Sequence, residues 1–348
     1  MSSASAPTRI LKYAEAMAEA IDEILEEDAR VVLIGARFTG QTPSARVMEP
    51  ILKKHADRIV WPPISELAYC GIATGASMVG LRPIVDLSTA TFSYEAIPQI
   101  VNEAAIVSYL SAGQVGAPVT FHMLYGIRGA GGPQHSGSPQ AWYWNSPGLQ
   151  VMMPSSPADV KGLLRYAALK SQNPTVFMNH TKLMELEGAV PEGRYEIPFG
   201  KAEVKRAGKD VTIIATGIQV PRALEAAEIL AHEDGIEAEV VDPRTLEPLD
   251  RETIFGSVRH TGRVVVTDES HDHCGVASGL AAIIVEECFA DFRAPLRCIG
   301  TDLAPVPYAE LLEGALVPTV NQLAIGVRSI CRPRQQSEEE SRVIEGKL

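Results

Sequence analysis

The chain has 348 residues, 46% hydrophobic and 21% charged, with a formal net charge of −12. This length corresponds to about two domains at roughly 150 residues each, and the composition excludes disorder of the bulk of the chain. The acidic excess excludes the basic face that nucleic acid or an anionic membrane requires, and no run of about 18 apolar residues offers a membrane span.

Residues 1–8 form a short Ser/Ala/Pro tail. Ile10, Leu11, Ala14, Met17, Ala18, Ile21, Ile24 and Leu25 recur at helical spacing opposite Glu15, Glu19, Asp22, Glu23, Glu26 and Glu27. That pattern predicts an amphipathic surface helix and is the reverse of an Arg-rich, acid-poor transit peptide. Cys70, Cys274, Cys288, Cys298 and Cys331 are an odd, widely spaced set with no C-x-x-C pair, as in a reduced, cytoplasmic protein.

Apolar runs then alternate with helical patterns. Strands are predicted at Val31–Gly35, Ile59–Trp61, Ile84–Leu87, Val119–Met123, Leu149–Met153 and Thr175–Met178. Between them lie a small-residue helix over 66–79, a long helix over 92–110 that must tolerate Pro98, and a helix over 158–169. Gly188, Pro191, Gly193, Pro198 and Gly200 mark a linker. Strands follow at Val211–Ala215, Ala238–Val241, Val264–Thr267 and Leu296–Ile299, with helices over 220–232, 251–258, 276–289 and 319–331. The alternation predicts an α/β protein of two doubly wound domains with parallel sheets covered on both faces. The expected boundaries are a first domain over 1–185, a linker over 186–200, a second domain over 201–334 and a polar tail over 335–348.

Ligands of such domains sit outside the carboxyl ends of strands. Four segments fall there. In Pro62-Pro63-Ile64-Ser65-Glu66, Ser65 suits a helix N-cap and Glu66 the first turn. Glu66 is then either a carboxylate on the positive end of a helix or one facing a pocket. The helix after it has no charge from Leu67 to Leu81 and many small residues, so it is expected to be buried, with a subunit contact in view. Phe92 and Tyr94 are either packing aromatics or a platform for a planar ring. The glycine-rich loop over 126–139 lacks the G-x-G-x-x-G spacing of a dinucleotide site, but carries Arg128 and His135. A histidine there suits proton transfer near neutral pH; an exposed loop histidine is the alternative. His271-Asp272-His273-Cys274 has zinc-binding residue types, although adjacent residues rarely converge on one ion.

Together the segments are more specific than any one. Ile64-Ser65-Glu66, Gly71-Ile-Ala-Thr-Gly75-Ala, Met78-Val-Gly80-Leu-Arg-Pro83, Ala96-Ile-Pro-Gln99-Ile-Val-Asn102-Glu-Ala-Ala105, Gln134-His135-Ser136, Asp242-Pro-Arg244-Thr-Leu246 and Pro305-Val-Pro307-Tyr308 resemble one family. It is the β subunit of the thiamine-diphosphate-dependent 2-oxo acid dehydrogenases, the first components of the pyruvate, branched-chain and acetoin dehydrogenase complexes. The resemblance runs from about Ile10 to Ile330.

It implies a pyrimidine-binding domain followed by a transketolase C-terminal-like domain. It implies oxidative decarboxylation of a 2-oxo acid, pyruvate or branched-chain, with acyl transfer to a lipoyl domain on an acyltransferase core. Glu66 matches the glutamate that hydrogen-bonds a nitrogen of the cofactor's aminopyrimidine and so helps remove the thiazolium proton. Phe92 matches the aromatic that stacks on the pyrimidine, and Ser88 stands where a larger residue often borders it. His135 matches the active-site histidine, while Arg128 and His273 are candidates for an anionic substrate group. In relatives a potassium ion is held by carbonyls around Val119, Ala168 and Ser171 and by Asn173. Two departures stand out. Gly35-Ala36-Arg37 replaces the usual Gly-Glu-Asp or Gly-Glu-Glu. The chain also has no Gly-Asp-Gly, the start of the diphosphate- and magnesium-binding half. The resemblance therefore implies an α subunit that holds magnesium and shares the cofactor, two α chains pairing with two β. Acetoin cleavage or ketol transfer from a ketose phosphate by split subunits stays open, as does a non-catalytic scaffold subunit.

Overall fold

A computed structural model describes residues 7–35 and 37–331. Ala36 and the tail expected over 335–348 lie outside the described residues. In chain order the elements are β1 (Thr8–Lys12), α1 (Tyr13–Glu27), β2 (Val31–Ile34), α2 (Glu49–Lys54), β3 (Ile59–Val60), α3 (Glu66–Met78), β4 (Arg82–Thr89), α4 (Val107–Leu110), β5 (Thr120–Tyr125), α5 (Gln140–Trp144), β6 (Gln150–Met152), α6 (Pro157–Leu169), β7 (Thr175–His180) and β8 (Glu187–Pro191). They continue with β9 (Glu203–Arg206), β10 (Val211–Ala215), α7 (Gln219–Asp234), β11 (Ala238–Asp242), β12 (Thr245–Glu247), α8 (Arg251–Thr261), β13 (Val264–His271), α9 (Val276–Cys288), β14 (Arg297–Thr301), α10 (Glu310–Leu316) and α11 (Val320–Cys331).

The chain divides into two units. The first takes residues up to Lys201 together with Arg244–Leu249 and Pro305–Glu313; the second takes Ala202–Pro243, Asp250–Ala304 and the chain from Gly314 onward. The first unit is therefore completed by two returns of the chain from beyond the expected linker. Its seven-stranded sheet has the order β3-β2-β4-β5-β7-β6-β12. All neighbours are parallel except β12, which runs antiparallel to β6. Central strands such as β5 and β7 are buried at every position, as expected for strands covered on both faces. The second unit has the order β14-β13-β10-β11-β9, again parallel except for the edge strand β9. Its core joins Val211, Ile213 and Val240 to Ala223, Ala227, Leu230, Leu323 and Val327.

Several expectations are corrected. Ile10 and Leu11 belong to β1, whose pairing with β8 (Thr8↔Pro191 to Lys12↔Glu187) outweighs their helical spacing. The linker is therefore partly strand. The acidic side of α1 does not simply face water. Lys161 of α6, fully buried, donates to Glu23 at 2.9 Å and to the Gly193 carbonyl at 2.8 Å, and also pairs with Glu19. Arg165 meets Glu27 at 2.7 Å. The long helix over 92–110 does not form. Pro98 has no amide hydrogen and crowds the preceding turn. The segment instead breaks into a 3₁₀ turn Ala90–Ala96, a π turn Pro98–Ala104 and α4. The α3 helix is buried on one face only, through Tyr69, Cys70, Ala73, Thr74 and Ser77. Leu67 and Ile72 are exposed on it, as is Val79 just after its end. Ser65 sits at its N-cap position without a side-chain capping bond.

Candidate functional site

The site lies in the first unit, at the carboxyl ends of the adjacent parallel strands β2, β4 and β5. Pairing between β4 and β5 shifts register between Asp86↔His122 and Thr89↔Leu124. This bulge holds Ser88 at φ 57°, a left-handed conformation uncommon for residues other than glycine. Asp86 fixes it. One carboxylate oxygen accepts the Ser88 amide at 2.9 Å and lies 3.1 Å from His122 Nδ1; the other accepts the Arg37 amide. The proton on His122 Nδ1 is thereby directed to the carboxylate. Gly35, at φ 74°, lets β2 approach closely: a Cβ there would lie 3.0 Å from the Asp86 carbonyl oxygen. One buried aspartate thus ties the ends of three strands. In the sequence Asp86 is a lone acid inside the apolar stretch Pro83–Leu87, the pattern of a buried carboxylate that needs partners.

The glycine-rich loop follows β5. Its base closes through the Gly126 amide and Gly137 carbonyl at 3.2 Å. Its middle is clamped by Glu313, 1% exposed. That carboxylate accepts from the amides of Arg128 (3.3 Å), Gly129 (2.8 Å) and Ala130 (3.1 Å) and from the Ser136 hydroxyl (3.0 Å). Gly132, at φ 65°, has the Tyr308 ring against it, 2.3 Å from where a Cβ would sit. Any side chain at 132 would displace that tyrosine. Sequence reading missed Glu313 because it lies 185 residues from Arg128.

The loop and the strand ends enclose a cavity of about 520 Å³, within the usual range for small-molecule pockets. Ser88, Phe92, Arg128 and His135 line it together with Arg37 and Tyr308. The rings of Phe92 and His135 meet edge to face at 5.3 Å and 75°. Tyr94 is not part of this wall; it stacks on Trp142 at 4.8 Å. Arg128 Nη1 reaches Thr89 Oγ1 at 3.3 Å, but Nε and Nη2 are shielded from water and have no hydrogen-bond partner among the described residues. Burial lowers the pKa of this guanidinium, against the opposing charge of Glu313. Unpaired buried donors cost about 1–3 kcal/mol each.

Glu66 is half-buried in the first turn of α3 and is not among the cavity-lining residues. Its helix packs against the turn that carries Phe92. Burial, and then the charge of Glu66, push the Tyr69 hydroxyl and the Cys70 thiol far above their ordinary ranges, so both stay neutral beside the carboxylate. His273 lies exposed in the second unit, on the turn between β13 and α9. His271 Nδ1 engages the Asp302 carbonyl at 2.8 Å. No group of three or more His, Cys, Asp or Glu side chains suited to a metal occurs among the described residues.

The carbonyls implied for potassium already accept hydrogen bonds from within the chain. The carbonyls of Ala168 and Ser171 both accept from the buried guanidinium of Arg82, and the Val119 carbonyl accepts the Thr175 amide at 2.9 Å. Asn173 contributes its own carbonyl to the Ser171 hydroxyl at 2.9 Å. The cation that closes this end of α6 is the protein's own. Exchanging potassium for tetramethylammonium is expected to leave the melting temperature of the chain unchanged; a fall of several degrees would show that Arg82 does not take this role.

Two family models match the chain: the transketolase pyrimidine-binding domain over residues 10–185 and the transketolase C-terminal domain over 200–323. The chain is 39% identical over 330 residues to the β subunit of an acetoin:2,6-dichlorophenolindophenol oxidoreductase of Cupriavidus necator, covering 92% of this chain and 97% of that one. It is 38% identical to a mitochondrial pyruvate dehydrogenase E1 component subunit beta-2 of Oryza sativa, covering 94% and 88%. Among solved structures it resembles a split-gene transketolase described as an inactive beta4 tetramer, with a TM-score of 0.73 and 25% identity over 92% of this chain. Among the described residues no helix is long and apolar enough to cross a membrane.

Proposed function

This chain belongs to the β subunits of the thiamine-diphosphate-dependent 2-oxo acid dehydrogenases, made of a transketolase pyrimidine-binding and a transketolase C-terminal domain, and we propose that its first unit supplies the pyrimidine half of an active site shared with an α subunit. The observation that carries the assignment is the cavity in which Phe92 and His135 meet, at the strand ends of a pyrimidine-binding domain. An aromatic face, a small Ser88 wall and an imidazole suit a planar heterocycle and the reacting group beside it. The absence of Gly-Asp-Gly from the sequence supports a diphosphate and magnesium site on the partner chain. The exposed apolar residues Leu67 and Ile72 of α3, with Val79 after its end, suit a subunit contact.

Thiamine diphosphate, when bound, supplies the carbon nucleophile and the electron sink that decarboxylation of a 2-oxo acid needs. Glu66 is the residue that would hold a proton at a pyrimidine ring nitrogen with the cofactor bound. Phe92 would offer its face to that ring and keep water from it. His135 moves a proton at the reacting group, on a loop held still by Glu313. In the full assembly, two α and two β chains pass the acyl group to the lipoyl domain of an acyltransferase core. We place the enzyme in the cytoplasm. Acetoin cleavage is the second reading, favoured by the 39% identity to an acetoin oxidoreductase subunit. A purely scaffolding role is disfavoured by the joint presence of Glu66, Phe92 and His135.

The test is titration calorimetry with thiamine diphosphate and magnesium. The chain alone is expected to show no tight binding, and the complex co-expressed with its α subunit to bind tightly. Tight binding by the isolated chain would overturn the shared site.

A further inference from the structure

The function proposed above leaves one buried titratable pair unused. The side chains of Asp86 and His122 are 1% and 0% exposed, and neither lines the cavity. Yet the two backbone amides that Asp86 holds, those of Arg37 and Ser88, belong to residues that do. Arg37 opens the stretch that also gives Gly40 and Gln41 to the wall; Ser88 opens the stretch that gives Thr89 and Phe92. One carboxylate thus has an oxygen for each stretch. His122 Nδ1 meets the oxygen that serves Ser88, at 3.1 Å. Its Nε2 is buried without a hydrogen-bond partner among the described residues, and its ring lies 5.0 Å from that of Phe38. A proton on Nε2 would be stranded there, so the ring proton stays on Nδ1, where the carboxylate accepts it. Ser88 depends on this most. Its φ of 57° is a conformation that persists only where the surroundings over-determine it.

We propose that Asp86 and His122 are positioning residues that preorganise these two wall stretches for the cofactor's aminopyrimidine, so that losing either weakens cofactor affinity. The inference rests on the function proposed above and adds to it two residues that touch no ligand. A wall held by a buried carboxylate has its binding shape before the ligand arrives, and the cost of ordering it falls on folding rather than on binding. His122 acts one step further back. Its Nδ1–H fixes the carboxylate in the orientation that keeps one oxygen on Ser88 and the other on Arg37.

The experiment uses the complex co-expressed with its α subunit, stripped of cofactor and titrated by calorimetry with thiamine diphosphate at fixed magnesium, well below the melting temperature of each variant. Asp86→Asn keeps the size but turns one of the two acceptors into a donor that faces an amide hydrogen. Its Kd is expected to rise about tenfold or more, the effect of one buried donor left without a partner. His122→Leu removes the Nδ1 donor and is expected to raise Kd in the same way. His122→Asn leaves similar empty space but keeps a donor, because its amide nitrogen is as many bonds from Cα as Nδ1 is, so it should lose less than His122→Leu. Adding Ser88→Gly to Asp86→Asn should recover part of the affinity, since glycine takes a left-handed φ without steric cost. The stoichiometry separates positioning from plain loss of folded protein. Positioning raises Kd at a full set of sites; misfolding lowers the number of sites and leaves Kd alone. Should Asp86→Asn fail to assemble, the His122 variants decide. A wild-type Kd in His122→Leu, a loss confined to the number of sites, or equal losses in His122→Leu and His122→Asn would each overturn the inference. Failure of the underlying function shows separately, as no binding of thiamine diphosphate by the wild-type complex, and would overturn both.

Discussion

Glu66→Gln in the α/β complex is expected to cut the exchange rate of the thiazolium C2 proton by about 10²–10⁴-fold, the usual contribution of a positioned acid–base group. The reasoning starts from its neighbours. Burial, and then the charge of Glu66, hold the Tyr69 hydroxyl and the Cys70 thiol in their neutral forms beside it. Glutamine keeps the shape and removes the charge, and with it the pull on a proton at the facing ring nitrogen. Stability should hardly change, because a half-buried carboxylate in a first helical turn contributes only ~0.3–1 kcal/mol. Exchange followed by NMR under deuterium, together with a melting curve, separates the two effects. Wild-type exchange in the variant would remove Glu66 from the proton path.

Glu313→Ala is expected to be the most damaging single change to the site. It withdraws one buried carboxylate from three backbone amides and a hydroxyl. Stranding those donors costs about 3 kcal/mol or more. Turnover should fall even well below the melting temperature, since the released loop carries both Arg128 and His135. Glutamine does not rescue it, because its amide nitrogen would point a donor at donors. The direct measurement is hydrogen exchange at Gly129 and Ala130, protected in the wild type and fast in the variant. Equal protection in both would show that the loop is held by other means.

The sheets were legible in the sequence because parallel strands buried on both faces are unbroken apolar runs. Val211–Ala215 is predicted and found with the same bounds. Among the strands not predicted, β9 and β12 are short antiparallel edges reading Glu-Val-Lys-Arg and Thr-Leu-Glu, without such a run, and β1 and β8 form a separate antiparallel pair. The break near Pro98 was signalled by the proline itself, against a helical period that continued past it. At the site, Phe92, Ser88, Arg128 and His135 were named from the sequence and line one cavity. The groups that hold them were not. Asp86 acts through backbone amides of the β2 and β4 ends, and Glu313 through a contact across 185 positions. Neither partnership leaves a local pattern.

The return of residues 244–249 to the first unit limits how this gene can be cut or recombined. A fragment ending near residue 200 loses β12 and uncovers the rim of β6, a ready template for stacking against copies of itself. It also loses the acid that steadies the glycine loop. The two halves are therefore poor cassettes: exchanging the amino-terminal half with that of a cousin would require its stretches 244–249 and 305–313 to travel along.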